Sequence, residues 1–168
     1  METKNSRSKK GNAVLDTFFV LIVMAVLGIT IFFGFKILSQ VNQNIQADDS
    51  FDSYSKNEIN TYTNKTQAVF DNIFLTVFAL LWMVSLVASF YIESHPIFFA
   101  FSIILLLFVF WIIPIIGNSV ETVMIDENIA STVALFPKAN WILTHMLTVA
   151  IAVGSSILLV MFAKNQNV

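Results

Sequence analysis

Long uncharged apolar runs alternate with short polar stretches along the chain. Four of the runs are each about 20 residues long, the length an α-helix needs at 1.5 Å per residue to cross a hydrocarbon core of about 30 Å. They cover residues 17–35, 73–92, 97–116 and 142–163, and none contains Asp, Glu, Lys or Arg. Asp16 and Lys36 bracket the first, Asp71 and Glu93 the second, and Lys164 follows the last. The pattern predicts an all-α integral membrane four-helix bundle forming a single membrane domain over residues 1–168. Helical extensions and short interfacial helices are expected on its outer side.

The polar stretches are patterned too. Ile37, Val41 and Ile45 fall four apart among Ser39, Gln40, Asn42, Gln43, Asn44 and Gln46, so the first helix, residues 13–47 in all, is expected to run past the bilayer as an amphipathic extension of the span. Asp48, Asp49 and Ser50 should break it. Within the outer loop of residues 48–72, Ile59, Tyr62, Val69 and Phe70 recur at helical spacing and lead into the second span. Two projecting helices with an acidic tip between them result.

Only Glu93, Ser94, His95 and Pro96 separate the second span from the third, which predicts a tight antiparallel hairpin. Pro114 and Gly117 should kink or end the third helix, with Asn118 and Ser119 as a fresh N-cap. The segment 117–140 then reads as one or two short interfacial helices carrying Val120, Val123 and Met124, then Ile129, Val133 and Phe136. Pro137 is expected to open the last helix, whose membrane part covers residues 141–163, and residues 164–168 form a short tail.

Composition turns this pattern into a class. Of 168 residues, 57% are hydrophobic and 12% charged, and the mean hydropathy is +0.77. A soluble domain carries about 25% charged residues, and one this short has too little interior to hide so much apolar surface. Zero cysteines exclude disulfides and thiolate chemistry. The net charge of -2 gives no global attraction to nucleic acid beyond weak contact by the N-terminal tail.

That tail, residues 1–12, carries Lys4, Arg7, Lys9 and Lys10, and the C-terminal tail carries Lys164. Cytoplasmic flanks are enriched in such residues, so both termini are expected on the inner side. The basic tail and first run could pass for a secretory signal, but the run is long for one and no Ala-x-Ala site follows. Lys9-Lys10-Gly11 with Asp16 resembles a prepilin leader. Asp stands there in place of the usual Glu, however, and three further spans follow, so a retained anchor is the expectation.

Helices in lipid associate through close packing of small residues. The candidates are Ala25 and Gly28 in the first span, Ser85 and Ser89 in the second, and Ala150 and Gly154 in the fourth. The third, rich in Phe, is expected to be the most lipid-exposed or to face another protein. Trp111 and Trp141 are placed as interfacial anchors, whereas Trp82, mid-span, is expected to pack between helices.

Candidate chemistry is sparse. His95 and His145 fall at opposite membrane faces and cannot share a metal. A Glu93/His95 pair reads as a polar turn, His145 as a histidine bonded to backbone, and Asp16 as a charge at its own helix N-terminus. Gly-rich phosphate loops and the His-Glu-x-x-His and Gly-x-Ser-x-Gly motifs are absent from the sequence. The spans hold essentially no ionisable group beyond His145, unlike most pumps and channels. No catalytic residue, cofactor or metal site is therefore expected.

In general build, without a diagnostic motif, the chain resembles the small multi-pass proteins of tailless viruses that contain an internal membrane. That resemblance implies a non-enzymatic scaffold connecting lipid to other membrane or shell proteins, as a homo- or hetero-oligomer in a virion or cell membrane. Ile37, Val41, Ile45, Ile59 and Tyr62 are the candidate partner contacts. A holin-like pore and an accessory subunit of a membrane enzyme are the alternatives.

Overall fold

The computed structural model describes residues 13–91 and 96–165. His95, Glu93 and the basic tail lie outside these, and the description does not extend to the Asp16 side chain. The elements in chain order are α1 (Ala13–Ala47), α2 (Ser53–Tyr91), α3 (Pro96–Met124), α4 (Ala130–Val133), α5 (Pro137–Thr144) and α6 (Met146–Asn165). No strand occurs among the described residues. Helices α1, α2, α3 and α6 are each long and apolar enough to cross a membrane, and the chain is an integral, multi-pass, all-α membrane protein.

Around the bundle, α1 packs on α2, α2 on α6, α6 on α3, and α3 back on α1. Helices α1 and α6 also meet across the diagonal, whereas α2 and α3 make no extended contact among the described residues. Along the described residues, then, the two arms of the expected hairpin do not pack closely on each other, and the link itself lies outside them. Their faces are held apart by the pair that fills the centre. Burial agrees: 39% of the most apolar stretch of α1 and of α6 is inside, against 22% for α2 and for α3. The third span thus shares its high exposure with the second.

Side-chain size explains which helices are central. Ala150, Val153 and Ile157 of α6 are fully buried, as are Leu21, Met24 and Phe32 of α1 within 2%. A β-carbon added at Gly28 would lie 2.5 Å from Leu143 Cδ1 and 3.2 Å from Phe74 Cε2, and one at Gly154 would lie 2.5 Å from Leu106 Cδ1. Both glycines therefore admit a neighbour where any side chain would have to displace it. Lipid tails are as apolar as leucine, so this close packing and a few interhelical hydrogen bonds hold the helices together. Trp82 supplies one such bond, donating from Nε1 to Ser156 Oγ at 3.0 Å and joining α2 to α6. Ser85 and Ser89 are buried but donate to carbonyls of their own helix, Leu81 O and Ser85 O.

Two helix boundaries differ from expectation. Helix α3 continues through Pro114 and Gly117 to Met124, so the first residues of the expected interfacial segment are its last turns. Proline removes one backbone donor, but Val120 and Met124 are buried beyond it and their packing outweighs that loss. Ser119 and Thr122 do not cap a new helix; each donates to the carbonyl four residues back, Ile115 O and Asn118 O. The last helix, by contrast, is divided. Pro137 opens only α5, and α6 begins after His145, whose φ of -109° and ψ of 29° bend the chain.

His145 Nδ1 sits 2.9 Å from Trp141 O, and since a carbonyl only accepts, that nitrogen carries the proton. The ring stacks on Trp141 at 4.9 Å between centroids. Hydrogen bonds from His145 N to Trp141 O and from Val149 N to His145 O carry the backbone through the bend. It is a kink at the membrane boundary rather than a break.

Candidate functional site

The feature that sets this molecule apart from a plain bundle is the α1–α2 hairpin. Helix α1 continues for 12 residues past Phe35, a projection of about 18 Å. Antiparallel pairing keeps one register over its whole length. Gly28 faces Phe74, Asn42 Nδ2 donates to Asn60 Oδ1 at 3.3 Å, and Gln46 Nε2 donates to Lys56 O at 2.7 Å. The same number of residues separates these contacts on both helices, as in a coiled-coil seam.

The character of that seam changes along its length. Ala25, Gly28, Phe32 and Phe35 line the membrane part and are buried. Ser39, Asn42 and Gln46 follow at the same alternating spacing, opposed by Lys56, Asn60 and Thr63. Past the apolar run, then, polar side chains bridge the two helices.

Its apolar residues divide between the outward face and the seam edge. Ile37 is 62% exposed, Val41 47% and Tyr62 66%, whereas Ile45 and Ile59 are half-buried at the seam edge. A four-residue step advances about 40° around a helix of 3.6 residues per turn. The stripe therefore winds from the outward face at Ile37 to the seam at Ile45. Val41 stands about 9 Å beyond Phe35, past a headgroup layer of about 5–7 Å.

The tip is built by carboxylates. Asp48 Oδ1 accepts from Ser50 N, and Asp52 Oδ1 from Ser55 N, both at 2.9 Å. The second arrangement is an N-cap for α2. The Ser50 backbone N–H, followed by its hydroxyl, holds the Asp48 carboxyl below the usual range. The Ser55 hydroxyl, followed by its backbone N–H, does the same for Asp52. Since both folded values are depressed, the stabilisation is present above the unfolded value near 3.8 and is lost as pH falls through the lower folded values. Paired spin labels at Asn44 and Asn57 should report a constant tip distance from neutrality down to about pH 4, and a broadened one below it.

At the base of the hairpin a second polar arrangement ties α2 to the outer segment. Asp71, only 5% exposed, accepts from Lys138 N at 3.2 Å and from Ala139 N at 3.0 Å. Those amides belong to the first turn of α5, whose own N-cap residue, Phe136, makes no side-chain capping bond. Lys138 Nζ donates to Asn72 Oδ1, and Gln67 Nε2 to Leu135 O at 2.7 Å. Phe136 is fully buried, with ring centroids 5.7 Å from Phe32 and 5.1 Å from Phe35.

Trp111 on α3 is 69% exposed and Trp141 on α5 56%. Two clefts open on this side. One, of about 440 Å³, lies between α1 and the turn after α3; the other, of about 390 Å³, is a largely apolar groove between α2 and α5 beside Trp141. No group of three or more His, Cys, Asp or Glu among the described residues is placed to hold a metal.

Sequence reasoning singled out the hairpin residues and the small packing residues, and missed Asp71, Gln67 and Phe136 as the clamp of the outer segment. The available signal was Phe136-Pro137, a helix start without a capping side chain of its own. No protein-family model, curated protein or solved structure matches the chain.

Proposed function

We propose that this chain is a non-enzymatic membrane scaffold. Four helices hold it in the bilayer, and the α1–α2 hairpin carries an apolar stripe to a protein assembly above the headgroups. The observation that supports this is the exposed stripe: Asn42, Gln46 and Asn60 tie the hairpin together by hydrogen bonds, while Ile37, Val41 and Tyr62 face outward. An isolated helical hairpin gains by burying its apolar residues in its own seam. Leaving Ile37, Val41 and Tyr62 at the surface forgoes part of that gain, and a partner on the outer stripe restores it. A bilayer beneath a protein shell, as in a virion with an internal membrane, is a setting that suits this build.

The test is Val41→Asp with Tyr62→Asp, both at exposed positions. Association with the shell or complex, followed by co-sedimentation, should fall at least about tenfold, since two buried apolar contacts carry about 1.5 kcal/mol or more. Flotation with membranes should be unchanged. Unaltered co-sedimentation refutes the reading, and collapse of membrane potential on expression favours a pore instead. In the proposed orientation both termini lie inside, so a reporter fused after Val168 should be protected from external protease.

A further inference from the structure

The larger outer cleft combines features that no packing role requires. Its walls are Phe33 and Lys36 from α1, Thr122 and Val123 from α3, and Asp126, Asn128 and Ile129 from the turn that follows. Phe33, Val123 and Ile129 make an apolar floor, and Lys36 and Asp126 supply one cation and one anion. These opposite charges share a space of about 440 Å³ without an ion pair between them. Asp126 Oδ1 accepts from the Asn128 backbone N–H at 2.8 Å, which fixes the orientation of the carboxylate.

Depth indicates what enters. Lys36 directly follows the apolar run of α1, and Phe33, one turn below it, is 45% exposed. The cleft therefore begins where acyl chains end and headgroups start. We propose that it binds the headgroup of a zwitterionic aminophospholipid, its phosphate at Lys36, its primary ammonium at Asp126 and Asn128, and its glycerol end over Phe33.

Charge selects this chemistry. An anionic headgroup satisfies Lys36 but meets Asp126 with like charge, and a simple cation does the reverse. A choline headgroup matches both charges, but its quaternary ammonium has no N–H to give the carboxylate. Ethanolamine matches the charges and donates.

The experiment uses the full chain in detergent with equal amounts of dioleoyl phosphatidylethanolamine, phosphatidylcholine and phosphatidylglycerol, and reads retained lipid by native mass spectrometry. Phosphatidylethanolamine should be enriched about fivefold over each of the others, the scale of exposed charge contacts. Lys36→Gln and Asp126→Asn should each reduce the enrichment over at least one of the other two lipids to less than about twofold. Lys36→Arg should restore the enrichment, and Lys65→Gln, at an exposed position outside the cleft, should leave it intact. Soluble glycerophosphoethanolamine, lacking chains to lie against Phe33, should not displace the lipid at equal concentration. Equal retention of the three lipids, or enrichment that survives in both cleft variants, overturns the proposal. Displacement by the soluble headgroup overturns its assignment to a lipid.

Discussion

Phe136→Ala should destabilise the folded bundle by about 3 kcal/mol, the scale of removing a fully buried aromatic side chain. Phe136 is the residue through which the outer segment grips α1. Its ring has no exposure, tilts at 53° to Phe32 and meets Phe35 edge-on at 82°, so truncation removes two aromatic contacts and leaves a cavity. Position decides the magnitude. A residue in mid-membrane exchanges protein for lipid when helices separate, and loses only packing. Phe136 lies beside Phe35, at the end of the apolar run, where separation exposes it to headgroups and water and the transfer cost is added.

The comparison variant is Leu107→Ala on α3, 63% exposed toward lipid, which should change stability by less than about 0.5 kcal/mol. Unfolding in mixed micelles with increasing dodecyl sulfate, followed by tryptophan fluorescence, measures both. Equal effects from the two variants would mean that the outer segment is not packed on α1 as described.

The four spans were legible because lipid imposes a length and a composition that few other settings share. The projecting hairpin was also open to reading from the sequence, as Ile37, Val41 and Ile45 recur among polar residues. Which way those residues face was not. A period of four marks a helix face, but only the partner helix shows that Asn42 and Gln46 take the seam and leave Val41 outside.

Helix ends were the least legible. Pro114 and Gly117 carry a local stop signal, and α3 ignores it because Val120 and Met124 find buried places one and two turns later. At His145 the reverse holds: nothing in its neighbours marks a helix end, and the kink arises where the imidazole takes the Trp141 carbonyl. The order of helices around the bundle was hidden for a related reason. A four-residue link suggests adjacent helices, but α1 and α6 meet across the centre, and α2 and α3 make no extended contact among the described residues.

Asp71→Ala should cost about 2–3 kcal/mol, combining the loss of a helix cap with the loss of hydrogen bonds to a charged acceptor. The acid stands at the end of the second span and reads in the sequence as a mere boundary mark. In the fold it is the N-cap that α5 lacks, delivered from another helix, and its charge faces the positive end of the α5 dipole. Removing it leaves Lys138 N and Ala139 N without their acceptor; Ala139 is fully buried, so water cannot readily replace the carboxylate there.

Asp71→Asn keeps one oxygen for these amides and surrenders the charge, and should lose about half as much. The mechanism predicts where the damage appears as well as its size. Hydrogen exchange at the Lys138 and Ala139 amides should accelerate in Asp71→Ala far more than exchange in the centre of α6. Asn72→Ala, which removes only the partner of the Lys138 ammonium, should cost less than about 1 kcal/mol because that contact is exposed. Unchanged exchange at Lys138 and Ala139 in Asp71→Ala would show that α5 is held by Phe136 alone and that the carboxylate has no capping role.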